Sequence, residues 1–234
     1  MIPLRDENPT ATFPFITITI IVINALVFIY ELTLGNQIQD RIIHLAVIPY
    51  NIIHMSNPAV LLTLITSLFF HAGFAHIFGN MLYLWVFGNN IEDRLGHIRF
   101  IFFYLFCGII ATIGHIITAF DSKLPVIGAS GAISGVLGAY LLLYPNAKVL
   151  VLLPLFYYWR ITKVKAWWFL VFWIILQFLY GTTSFALGES GKGGVAWFAH
   201  IAGFFAGILF LRLFLKEKKR RRINEDTFDE ITES

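Results

Sequence analysis

The chain has 234 residues, of which 58% are hydrophobic and 13% charged, with a formal net charge of +3 and a mean hydropathy of +0.74. Soluble domains carry about 45–50% apolar and about 25% charged residues, so this composition excludes a water-soluble globular fold and predicts an all-α polytopic membrane protein. A lone cysteine, Cys107, excludes an internal disulfide, and no nucleic-acid partner is expected.

Residues 1–12 are polar, carry both charge signs and show no cleavable signal. They read as a cytoplasmic N-terminal segment. Helices of about 20 apolar residues cross a bilayer, and six are expected within 13–215: at 13–32, 76–87, 100–120, 130–144, 166–179 and 195–215. The second, fourth and fifth cores are short, so their helices extend into the flanking loops or the bilayer thins around them. Between the first two spans, Ile38, Ile42, Ile43, Leu45 and Ala46 recur at roughly helical spacing, with Gln39, Asp40 and His44 between them. That amphipathic pattern reads segment 35–70 as an interfacial element lying partly in the outer leaflet. Segment 150–159 is apolar, broken by Pro154 and flanked by Arg160, Lys163 and Lys165. It is too short to span and reads as a surface-seated cytoplasmic loop. Residues 216–234 form a basic, then acidic tail, disordered over 224–234.

Lys and Arg distribution sets orientation. With six spans both termini share a side, and that side holds Arg5, Arg94, Arg99, Lys148, Arg160, Lys163, Lys165 and the basic run at 216–222. The other side holds only Arg41, Lys123 and Lys192. The termini are therefore expected in the cytoplasm.

Polar residues inside lipid-embedded helices are costly and mark function. Ser130 opens the fourth span, His200 lies about one and a half turns into the sixth, and His76 and Asn80 lie in the first turns of the second. All three spans enter from the outer side. At 1.5 Å per residue the four side chains fall within roughly 10 Å of that boundary. A serine beside a histidine is the arrangement of nucleophilic catalysis: the imidazole takes the hydroxyl proton and the oxygen attacks a carbonyl. Gly131 with Gly135, and Gly203 with Gly207, are small-xxx-small pairs that let the fourth and sixth helices approach closely. His76 and Asn80 are four apart, share a helical face and both donate hydrogen bonds, as does the Ser130 backbone N–H. The plainer readings are interhelical glue for Asn80 and a satisfied interface histidine for His76.

Glu31, Glu92, Asp93, Asp121 and Glu189 all fall outside the depth of His200, so the pattern is a Ser–His dyad without a carboxylate, and no orienting partner for His200 is named. Ser134 reads as a helix serine bonded to its own backbone. His115 reads as a packed or loop-facing histidine, and His71 as lining the mouth of the site. A metal site built from His71, His76 and His200 is disfavoured, because no His-Glu-x-x-His pattern is present. No metal or cofactor is expected.

These motifs resemble those of the rhomboid intramembrane serine proteases. The likeness rests on Gly-x-Ser-Gly at 128–131, Ala-His-x-x-Gly-x-x-x-Gly at 199–207 and His-x-x-x-Asn at 76–80, in that family's arrangement on the second, fourth and sixth spans. The run at 88–96 resembles bacterial and archaeal members. The resemblance implies a six-helix bundle with Ser130 as nucleophile and His200 as general base. It also implies an oxyanion hole of His76, Asn80 and the Ser130 amide, with Gly128 and Gly131 framing the serine. It implies transmembrane protein substrates, cut near the outer face of the bilayer, with the plasma membrane of a prokaryote as the expected location. Two departures stand out. Leu62 to Thr66 replace a Trp-Arg pair in the first outer loop, and Ser134 occupies a position where some members carry tyrosine. A non-catalytic relative that binds membrane clients is the alternative, although such relatives lack the serine or the histidine. A transporter would carry polar residues through the whole depth of the bundle. Oligomeric state is not legible in the sequence.

Overall fold

A computed structural model describes residues 1–55, 57–155, 158–188 and 194–215. Tail 216–234, Glu189 and Lys192 lie outside the described residues. Among the described residues the longer helices are α1 (Phe15–Leu34), α5 (Phe74–Leu95), α6 (His97–Thr118), α7 (Ser130–Leu143), α8 (Ala166–Ala186) and α9 (Trp197–Phe214). Three short helices, α2 (Ile38–Ile42), α3 (Pro49–His54) and α4 (Thr63–Thr66), lie between α1 and α5. Helices α1, α6, α8 and α9 are long and apolar enough to cross a membrane singly. Helix α5 qualifies together with the segment Pro58–Phe69, from which it bends by 82°, and α7 is a shorter apolar helix of 14 residues. The chain is an integral, multi-pass membrane protein.

Helix α7 is the axis of the bundle. Its first half is rich in Gly, Ala and Ser, small residues that let neighbouring helices come close, and every residue from Gly131 to Tyr140 is buried. Helices α5, α6, α8 and α9 all contact it, α9 most extensively. The outward faces of α1, α8 and α9 instead expose Leu26, Ile29, Trp168, Leu179, Leu209 and Leu213. Uncovered apolar area on this scale suits hydrocarbon rather than water.

The all-α expectation needs one correction. Strands β1 (Ile2–Asp6), β2 (Lys148–Leu155) and β3 (Tyr158–Lys165) form an antiparallel sheet in the order β1-β2-β3. The segment expected as an apolar surface loop is thus a hairpin, and the N-terminal segment is its third strand. Val149 and Val151 alternate inward and are fully buried, which explains why these residues are apolar without spanning. A buried polar network ties the sheet to the helices. The Tyr140 hydroxyl and the Asn90 amide donate to Asp6 Oδ2 at 2.6 and 2.8 Å. Glu92, fully buried, accepts the Ile16 and Thr17 backbone N–H groups at 2.8 and 2.7 Å and so closes the otherwise uncapped start of α1.

Segment 35–70 has one apolar face that packs inward: Ile42, Ala46 and Phe70 are buried with Val27, Ile38 and Ile127 against them. Its backbone also grips the approach to α7. Val47 and Val126 exchange N–H···O bonds of 3.2 and 2.7 Å, and the Gly128 N–H donates to the Ser67 carbonyl at 2.9 Å.

Candidate active site

Ser130 is the first residue of α7, so its backbone N–H belongs to the orphan donors of a helix start. The preceding Gly128 has φ +127°, a backbone conformation that L side chains rarely adopt, and a Cβ there would lie 2.7 Å from His76 Nε2. Only glycine lets the chain turn into α7 at this angle while the imidazole sits against it.

Helix α9 delivers His200. Its Nε2 lies 2.8 Å from Ser130 Oγ although 70 residues separate them in sequence. The helices holding the pair are in direct backbone contact, with Gly203 against the Gly131 carbonyl and Gly207 against the Gly135 carbonyl. Any side chain at Gly203 or Gly207 would drive α7 and α9 apart. The second polar contact of His200 is with a residue the sequence reading did not single out, Gln177 on α8, whose Oε1 is 2.8 Å from Nδ1. The available signal was a lone amide in an apolar helix, which needs a partner.

His76 and Asn80 stand on the facing helix, α5. Both line a cavity of about 800 Å³ together with Ser130, His200 and Trp173. The Ala72 N–H donates to His76 Nδ1 at 3.3 Å, so Nδ1 is the acceptor and Nε2 carries the proton. Asn80 is 7% exposed, and its Nδ2 has no hydrogen-bond partner among the described residues. Two N–H donors are thereby presented at the cavity that contains the serine and the histidine.

The remaining polar residues take separate places. Ser134 Oγ donates to the Ser130 carbonyl at 2.7 Å, the local backbone bond expected for it. His115 is buried in α6 and lines the cavity. His71 does not line the mouth of the site. It is 1% exposed and lies edge-on behind His76, with ring centroids 5.0 Å apart. Glu31 is buried near the end of α1 and accepts the His71 backbone N–H at 3.1 Å. It fixes the turn from which α5 and His76 start. Among the described residues no three His, Cys, Asp or Glu side chains converge as metal ligands.

The rhomboid domain family model matches residues 58–217. The chain is similar to Rhomboid protein 1, mitochondrial, of Saccharomyces cerevisiae: 32% identical over 172 residues, covering 69% of this chain and 44% of the yeast protein. It is similar to Putative rhomboid protease YdcA of Bacillus subtilis: 29% identical over 167 residues, 68% of this chain and 69% of YdcA. Rhomboid protease GluP of Bacillus subtilis is 32% identical over 137 residues, 58% of this chain and 25% of GluP. The match thus spans less than half of the yeast protein and a quarter of GluP. With more than half of its length, and every motif described above, inside the matched region, this chain belongs to the rhomboid family.

Proposed function

We propose that this chain is an intramembrane serine endopeptidase working through a Ser130–His200 dyad. The observation that carries the proposal is the 2.8 Å approach of Ser130 Oγ to His200 Nε2 in the wall of a cavity that also presents His76 and Asn80. The membership of relatives named as proteases supports it. In this reading a peptide carbonyl of a transmembrane substrate enters the cavity. His200 Nε2 takes the hydroxyl proton as Ser130 Oγ bonds to the carbonyl carbon. The negative charge that develops on the carbonyl oxygen meets His76 Nε2–H, Asn80 Nδ2–H and the Ser130 N–H. Collapse breaks the C–N bond, and His200 returns its proton to the leaving amine. Water then attacks the acyl-serine with His200 again as base, which frees the acid product and restores the dyad.

The proposal includes six crossings, with both termini in the cytoplasm and the cavity toward the outer side of a prokaryotic plasma membrane. Basic residues support this orientation: Arg5, Lys148, Arg160, Lys163 and Lys165 all lie in the sheet, and such residues favour the cytoplasmic face.

Cleavage of a model transmembrane substrate by purified protein in liposomes tests the reading. Ser130→Ala and His200→Ala should each lower the rate by several orders of magnitude. A fluorophosphonate should modify Ser130. Near-normal turnover in either variant removes that residue from the mechanism, and label recovered on Ser134 identifies the wrong serine.

A further inference from the structure

Gln177 is 6% exposed on a helix whose sequence from Ala166 to Leu179 is otherwise apolar. Its side chain makes two bonds of opposite sense. Nε2 donates to the Trp173 carbonyl one turn back on α8, at 3.3 Å, and Oε1 faces His200 Nδ1 at 2.8 Å. A backbone carbonyl can only accept, so the amide nitrogen belongs on the Trp173 side and the amide oxygen on the histidine side. An amide oxygen can only accept in turn, so His200 Nδ1 carries the proton. Nε2 is then left with its lone pair toward Ser130 Oγ, 2.8 Å away. Every bond in the chain from Ser130 through His200 and Gln177 to Trp173 runs in one direction, the arrangement in which successive hydrogen bonds polarise one another.

We propose that Gln177 is the positioning residue of this site: it holds His200 in the Nδ1–H tautomer and aims Nε2 at the nucleophile. The inference rests on the dyad reading above. It supplies what the dyad lacks, because a neutral imidazole left alone has two tautomers and only one accepts the serine proton. The use of an amide also follows from location. A carboxylate in this place is an ionised group buried within a membrane span, whereas the glutamine orients the ring without adding charge. Trp173, whose carbonyl sets the direction of the chain, also places its indole 6.0 Å from the His200 ring. A single turn of α8 thus fixes the histidine through both a bond and a wall.

The test uses the full chain in liposomes with a model transmembrane substrate, and ring-nitrogen NMR of ¹⁵N-histidine protein with His200 assigned by its loss in His200→Ala. In the unsubstituted protein His200 should show a protonated Nδ1 and an unprotonated Nε2. Gln177→Leu keeps the bulk and removes the acceptor. It should lower kcat about 10–100-fold, the range found when the hydrogen-bond partner that orients a metal-bound histidine is removed, with KM little changed and the tautomer signature mixed or reversed. Gln177→Glu should restore most of the rate, because a glutamate oxygen accepts from Nδ1–H in either protonation state. A protonated Nε2 in the unsubstituted protein overturns the inference. So does a Gln177→Leu variant with normal kcat, or a Gln177→Glu variant as slow as Gln177→Leu. The NMR readout needs no turnover, so it separates this inference from the dyad reading, whose own failure appears as normal cleavage by Ser130→Ala.

Discussion

Gly131 and Gly203 touch through their backbones: a Cβ on Gly203 would overlap the Gly131 carbonyl. Gly131 follows Ser130, and Gly203 lies one turn after His200, so this contact sets the separation of the serine and the histidine. Gly203→Ala should therefore destabilise the protein by about 1–3 kcal/mol, the usual cost of overpacking, and lower activity more than stability alone explains. Gly79→Ala is the stability control. Nothing lies within 4 Å of a Cβ there, and alanine is favoured over glycine in a helix by about 1 kcal/mol. Thermal unfolding of the two variants decides. A Gly203→Ala protein that melts with the unsubstituted one removes the close-packing account.

Asn80 Nδ2 is buried and has no partner among the described residues, a costly state for a donor unless a substrate group completes it. Asn80→Ala should leave substrate binding nearly intact and lower kcat. Loss of a single oxyanion donor costs about 10²–10³, and sharing of the load with His76 and the Ser130 amide places this variant at the lower end. Steady-state kinetics on a transmembrane substrate checks it. Turnover equal to that of the unsubstituted protein would make Asn80 interhelical glue.

Ser130, His200, His76 and Asn80, which line one cavity, were legible as candidates because each sits in a short motif whose small neighbours and helical spacing carry meaning by themselves. Gln177 was not legible in this way. Its partner is 23 residues distant, and neither residue's neighbours signal the pairing. The sheet was hidden for a related reason. Strand β1 pairs with β2 across more than half the chain, Ile2 opposite Leu152, and an apolar stretch whose Val149 and Val151 turn inward looks like a loop until its partner is known. The role of segment 35–70 was only half visible. Its apolar periodicity is plain in the sequence, whereas its grip on Val126 and Gly128 runs through backbone atoms that any sequence could supply.

Asp6 anchors the N-terminal strand to the helices through Tyr140 and Asn90. Burial is the main cause holding its carboxyl above the ordinary carboxylate range, with the Tyr140 hydrogen bond pulling the other way. The folded protein thus keeps this proton to a higher pH than the unfolded chain does. The stability that follows is present at low pH and falls as pH rises through the raised folded value. Asp6→Ala should cost about 1–3 kcal/mol by leaving two buried donors without this acceptor. Asp6→Asn should keep an acceptor and flatten the pH slope. Melting curves between acid and neutral pH measure both, and an Asp6→Ala protein as stable as the unsubstituted one at every pH would sink the anchoring role.

The active site should face away from the cytoplasm. The sheet that carries Arg5, Lys148, Arg160, Lys163 and Lys165 adjoins the C-terminal end of α7 and the start of α8, since β2 and β3 follow Leu143 and precede Ala166. Ser130 is at the opposite, N-terminal end of α7, beside the loop of Val126 and Ile127. Basic residues concentrate on the cytoplasmic face, so the proposed orientation puts the sheet end at the cytoplasm and the cavity toward the other side. The chemistry agrees, because deacylation consumes water and the hydrocarbon core holds none. The native Cys107 is fully buried, so cysteines introduced at Lys123 and Lys163 can be read against a quiet background. In intact cells an impermeant maleimide should modify Lys123→Cys and spare Lys163→Cys, and mass spectrometry should place the scissile bond near the outer end of the substrate helix. Labelling at position 163, or a cut near the cytoplasmic end, would overturn the orientation together with the substrate geometry built on it.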